Sequence, residues 1–131
     1  PQPAFTGVFD GTTLVDGVYT FPSTAESWAG ISNGNADMYP IVLDSDTSLS
    51  FKAAVPDGTT ADVRFTFEYK PYPHADYSYA TDPVTVTGAT ASTYEIIVPE
   101  QVGTYSSLIM YLDTRDVGVE VYDVELKAIQ D

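Results

Sequence analysis

Ala61-Asp62-Val63-Arg64-Phe65-Thr66-Phe67-Glu68-Tyr69 alternates apolar and polar side chains with a period of two. That period belongs to an extended strand, whose successive Cβ atoms point to opposite faces, whereas a helix would scatter the same residues around its circumference. Val63, Phe65 and Phe67 therefore face a core, and Arg64, Thr66 and Glu68 face away from it. Residues 107–115 repeat the pattern, with Leu108, Met110 and Leu112 on one side and Ile109, Tyr111, Asp113 and Arg115 on the other. Both arginines of the chain fall on these outer faces, which suggests one shared polar surface.

Outward from this stretch, short β-rich runs alternate with turn clusters, and no window carries a helical period. The predicted strands are residues 5–9, 14–21, 41–43, 48–55, 61–69, 84–87, 94–98, 107–113 and 117–129. Asp10-Gly11, Asp16-Gly17, Asn33-Gly34, Asp57-Gly58 and Gly88 punctuate them, because Gly tolerates positive φ and Asp or Asn satisfies its own backbone. Strands of this number and spacing predict an all-β chain, a β-sandwich with the jelly-roll topology of two antiparallel sheets. Residues 1–131 read as one domain, with linker stubs at 1–4 and 130–131. In the last strand Val117, Val119 and Val121 keep one phase and Val124, Leu126 and Ala128 the other, so the slip at Tyr122-Asp123 predicts a bulge or a crossover between sheets. Residues 22–40 read as a long loop over the sandwich.

Composition narrows the chemistry. The 131 residues hold 19 acidic and 5 basic side chains, a formal net charge of -14. A phosphate backbone would be repelled, so nucleic acid is excluded as a partner, and the strong negative charge favours a soluble monomer. With no cysteine, disulfides, thiolate metal sites and cysteine nucleophiles are absent. No apolar run approaches the roughly 20 residues of a membrane span, and a secreted or cell-surface chain is expected whose leader lies outside this sequence.

Four tyrosines fall between Tyr69 and Tyr79, in a stretch that also holds Pro71, Pro73 and the single histidine, His74. Prolines stiffen that segment, which is too polar for a core, so its rings suit a platform for a flat amphipathic ligand. A pyranose has an apolar face of C–H groups and a belt of hydroxyls. It calls for aromatic rings under the face and planar hydrogen-bonding groups around the belt. Trp28, Tyr39, Tyr69, Tyr72, Tyr77, Tyr79 and Tyr111 are the candidate rings, and Arg64, Glu68, Asp113, Arg115, Asn33 and Asn35 the candidate polar groups. Each stacked ring contributes roughly 0.5–1.5 kcal/mol beyond area burial. Two or three rings with several hydrogen bonds suit a Kd of about 1 μM to 1 mM. Trp28, flanked by Ser, Ala and Gly rather than aliphatics, is the foremost ring.

Two further chemistries are open. Asp10, Asp16, Asp123 and Glu125 lie near the two chain ends, where a sandwich often sets first and last strands side by side, and carboxylates with loop carbonyls are what a hard cation such as Ca2+ takes. Glycoside hydrolysis would need two positioned carboxylates, for which Glu68 and Asp113 share the predicted polar face. A calcium-stiffened adhesion or structural domain of a large secreted protein is the other alternative.

Residues 5–11 (FTGVFDG), 18–22 (VYTFP) with Trp28 following, 64–68 (RFTFE) leading to Pro71-Tyr72-Pro73, and 121–126 (VYDVEL) together resemble the β-sandwich carbohydrate-binding modules of marine bacterial polysaccharide-degrading enzymes such as laminarinases. The resemblance implies a non-catalytic module, tethered to a catalytic domain in a larger chain, that binds a neutral polysaccharide. A laminarin-type β-1,3-glucan is the first expectation, with agar or alginate as alternatives. It also implies a structural calcium tying the first and last strands, with Asp123 as the final-strand ligand and Asp10 at the other end.

Overall fold

The computed structural model describes residues 2–69 and 78–129. Its strands are β1 (Phe5–Phe9), β2 (Thr13–Val15), β3 (Val18–Thr20), β4 (Gly30–Asn33), β5 (Ile41–Val42), β6 (Thr47–Ala54), β7 (Thr60–Glu68), β8 (Tyr79–Ala80), β9 (Val84–Thr87), β10 (Ser92–Val98), β11 (Thr104–Tyr105), β12 (Ser107–Leu112) and β13 (Val119–Ala128). The helical content among the described residues is one 3-10 turn, Ala36–Met38; no helix is long and apolar enough to cross a membrane. A six-stranded sheet runs β1-β4-β12-β7-β8 with β9 also paired to β7, and a five-stranded sheet runs β10-β6-β13-β3-β2, with β10 and β2 its outermost strands among the described residues. Strands β5 and β11 form a separate two-stranded ribbon. The pairings are antiparallel throughout, so the chain is an all-β sandwich, as the alternation in β7 and β12 requires.

The core lies between the two large sheets. Phe65 of β7 meets Phe51 of β6 edge-on with ring centroids 5.4 Å apart, and Phe5 of β1 stands 5.6 Å from Phe65. Val63, Phe65, Phe67, Leu108, Met110 and Leu112 are fully buried, each at the inward position its alternation assigned. Ser107↔Glu68, Ile109↔Thr66 and Tyr111↔Arg64 are cross-strand pairs of β12 and β7, which places the expected outer residues side by side.

Three differences from the sequence reading have local causes. Residues 14–21 are two strands, because Asp16 (φ 51°) and Gly17 (φ 79°) make a two-residue hairpin turn of the left-handed type between Val15 and Val18. The slip at Tyr122-Asp123 is a bulge within one sheet: Asp123 and Val124 together oppose Phe51, with Asp123 at φ 50°. Strand β4 lies inside the expected loop 22–40 and is a central strand between β1 and β12. Its sequence Gly-Ile-Ser-Asn lacks a β-rich signal, and it is held by its neighbours rather than by propensity.

Candidate functional site

The outer face of the six-stranded sheet carries the chemistry. Gly30 is the reason it is concave where it is: a Cβ there would lie 2.9 Å from Tyr111 Cε1, 3.0 Å from Ile109 Cγ2 and 3.1 Å from Phe9 Cζ. Only a hydrogen lets those three side chains converge over β4. Phe9 reaches this face through an irregularity in β1, whose register shifts between Phe5 and Gly7, so Phe5 enters the core while Phe9 turns outward.

Trp28 rises from the loop that joins β3 to β4. It is 59% exposed, and its indole Nε1 donates to Asp10 Oδ2 at 2.7 Å. Phe9, Asp10, Trp28, Glu68, Ile109 and Tyr111 line a cleft of about 550 Å³. Ile109 supplies a buried apolar floor, the three rings supply walls, and two carboxylates supply hydrogen-bond acceptors. Burial pushes the Tyr111 hydroxyl above the ordinary phenol range, and the nearby Glu68 carboxylate adds to that shift against a smaller opposing effect of Arg64.

Beside the cleft, Arg64 Nε donates to Asp113 Oδ1 at 2.9 Å, and the guanidinium stands 4.4 Å from the centre of the Tyr111 ring. The pair braces Tyr111 from beneath and ties up the cation. Of the expected sugar-contacting residues, Trp28, Glu68 and Tyr111 therefore meet at one cleft, with Arg64 and Asp113 adjoining it.

The others are placed elsewhere. Tyr39 accepts hydrogen bonds at its hydroxyl from Leu108 N and Asn33 Nδ2 and packs against the core, so it supports the sheet from inside. Tyr79 sits opposite Phe67 in β8 and packs on the core as well. Arg115 Nη1 donates at 2.8 Å to both Pro22 O and Ala25 O, with its guanidinium 3.9 Å from the Phe21 ring centre, so it is committed to backbone behind the Trp28 loop. Tyr72 and Tyr77 lie outside the described residues. The expectation missed Phe9 and Gly30, and Asp10 belongs to the cleft through Trp28.

The two carboxylates expected at a calcium, Asp10 and Asp123, each have a partner of their own. Asp10 accepts the Trp28 indole, whereas Asp123 sits at the β13 bulge with Lys52 Nζ 3.6 Å away. Among the described residues no three Asp, Glu or His side chains cluster closely enough to hold a metal ion. The Glu68 and Asp113 pair is likewise divided, since only Glu68 lines the cleft and Asp113 is taken by Arg64.

No protein-family model matches the chain, and no curated protein matches it. Solved structures do. The xylan-binding domain CBM22-1 of Xyn10C from Paenibacillus barcinonensis superposes with a TM-score of 0.56 at 18% identity, covering 99% of this chain and 93% of that one. A CBM4 structure gives a TM-score of 0.58 at 15% identity, covering 93% of this chain and 77% of the other. At such identities the likeness is one of architecture: the chain has the β-sandwich fold that carbohydrate-binding modules of these two kinds share.

Proposed function

We propose that this chain is a non-catalytic carbohydrate-binding module that holds a neutral polysaccharide on the outer face of its six-stranded sheet. The observation that carries the proposal is an exposed indole, fixed by Asp10, standing with Phe9 and Tyr111 over the Ile109 floor. A sugar ring set there would lay its C–H face on an aromatic wall and offer its hydroxyls to Asp10 and Glu68. The fold shared with CBM22 and CBM4 structures supports the same reading.

A neutral ligand follows from the electrostatics. Among the described residues the cleft lining contains two carboxylates and no cation, and the neighbouring Arg64 is already paired with Asp113. Uronate or sulfated chains such as alginate would meet repulsion there. Laminarin-type β-1,3-glucan and xylan are the first two glycans to try, the second because one structural neighbour is a xylan-binding domain. The module is proposed to act outside the cell as part of a larger polysaccharide-degrading protein.

Affinity electrophoresis against laminarin, xylan, mixed-linkage glucan, agarose and alginate tests this. Retarded mobility is expected in at least one neutral glycan and none in alginate. Trp28→Ala should weaken the interaction by at least about 1 kcal/mol. Unchanged mobility throughout the panel would remove the proposal, and release of reducing ends would overturn its non-catalytic part.

A further inference from the structure

The segment that presents Trp28 anchors Phe21, Ala25 and Ala29 in the core, and the backbone between them is gripped from two sides. From the β1–β2 turn, Asp10 O accepts Glu26 N at 3.0 Å, and Gly11 leaves so little room that a Cβ would come within 2.8 Å of Ala25 Cα. From the β12–β13 turn, Arg115 gathers the carbonyls of Pro22, Ala25 and Glu26 with one guanidinium. Next to it, the Asp116 carboxylate accepts both Ser23 N and Ser23 Oγ, and Asp116 N donates to Phe21 O at 3.0 Å. That turn is itself fixed to the sheet, because Asp113 N donates to Asp62 O and Thr114 Oγ1 accepts Asp62 N.

We infer that Arg115 and Asp116 form a clamp whose role is to position Trp28 for its ligand, resting on the proposed carbohydrate-binding role of the cleft. The chemistry suits Arg in particular. Three carbonyls converging on one side chain demand several donors in a fixed plane, which guanidinium provides and an ammonium on a flexible stem does not. The clamp lines no part of the cleft, so it acts through the loop alone: Pro22 to Glu26 held in one conformation leave Trp28 and its Asp10 bond pre-set. Without it the loop would have to be ordered when the glycan binds, and affinity would fall by that cost.

The test uses Arg115→Ala, Arg115→Lys and Trp28→Ala, with the double variant. Trp28 is the only tryptophan, so its time-resolved anisotropy reports the loop without any ligand. Arg115→Ala is expected to add a fast nanosecond component, and Arg115→Lys a smaller one. Glycan affinity should fall about tenfold in Arg115→Ala, yet change less than about twofold when the same substitution is made in Trp28→Ala, since both then remove one contribution. Equal losses in the two backgrounds, or an unchanged anisotropy decay, would overturn the clamp. If Arg115→Ala does not fold, the Lys variant carries the same comparison. Should wild-type protein bind no glycan on the panel, the functional proposal fails while the anisotropy measurement still judges the clamp.

Discussion

Gly30→Ala probes the cleft without replacing any side chain proposed to contact ligand. The added methyl would sit 2.9–3.1 Å from one atom each of Tyr111, Ile109 and Phe9, against an optimal carbon separation of about 3.5–4.0 Å. Each contact must therefore open by roughly half an ångström or more. Overpacking of this kind costs about 1–3 kcal/mol, and removing a strand glycine returns roughly 0.5–1 kcal/mol of backbone entropy. Ile109 is nearly buried at the cleft floor and Tyr111 is backed by the Arg64–Asp113 pair, so most of the shift falls on the half-buried Phe9 ring. The expected outcome is a net destabilisation of about 1 kcal/mol in urea unfolding with an unchanged m value, together with several-fold weaker glycan binding as the walls part. A variant that is more stable than wild type by 0.5 kcal/mol or more, with unaltered affinity, would refute the claim that this glycine shapes the cleft.

Two other expectations concern pH and metal. Burial raises the hydroxyl pKa of Tyr19 and Tyr111 above the ordinary value of 10.0; the folded state then holds these protons more tightly, so their contribution is intact below pH 10 and declines as pH rises through the folded values. Thermal unfolding from pH 8 to 11, paired with tyrosinate absorbance, should show a falling Tm above about pH 10 with at least two late-titrating phenols; a flat Tm across that range would contradict it. For calcium, occupancy at 100 times its Kd would add about 2.7 kcal/mol. That amounts to a Tm rise on the order of 10 °C for a chain of this size. With Asp10 and Asp123 separately engaged, chelation by EDTA is expected to move Tm by less than about 1 °C, and a fall of several degrees would require ligands other than this pair.

The sandwich was legible because β7 and β12 each bury one face and wet the other, so their period of two is written plainly in the residues. Strand β4 was not, since Gly30 and Ser32 are chosen for closeness to neighbouring strands, a property of three dimensions that no local pattern carries. Phe9 illustrates the same limit: parity puts it on the side of Phe5, and one irregularity in β1 reverses that. Trp28 stood out by its small polar neighbours and does line the cleft. Tyr39 and Tyr79 share its composition-level signal, yet their rings close the core, because an aromatic ring beside a turn can face either way. Arg115 was expected on the outer face of a strand continuing from β12, but it lies in the turn after Leu112 and its guanidinium is consumed by carbonyls from a segment some ninety residues earlier. Only the fold brings those together.

Strand β10 has a colloidal consequence. Its seven residues, Ser92–Val98, form the outermost strand of the five-stranded sheet among the described residues and include Ile97 at 48% exposure; an edge strand of this length invites a second chain to add itself. Glu95 sets a charge on the strand, Pro99 follows its end, and the net charge of -14 keeps copies apart. An incoming strand docks about 4.8 Å away, inside the roughly 8 Å reach of charge in 0.15 M salt and outside the 3 Å reach at 1 M. The acidity of this chain thus protects its margin from polymerisation in ordinary saline and surrenders that protection in brine.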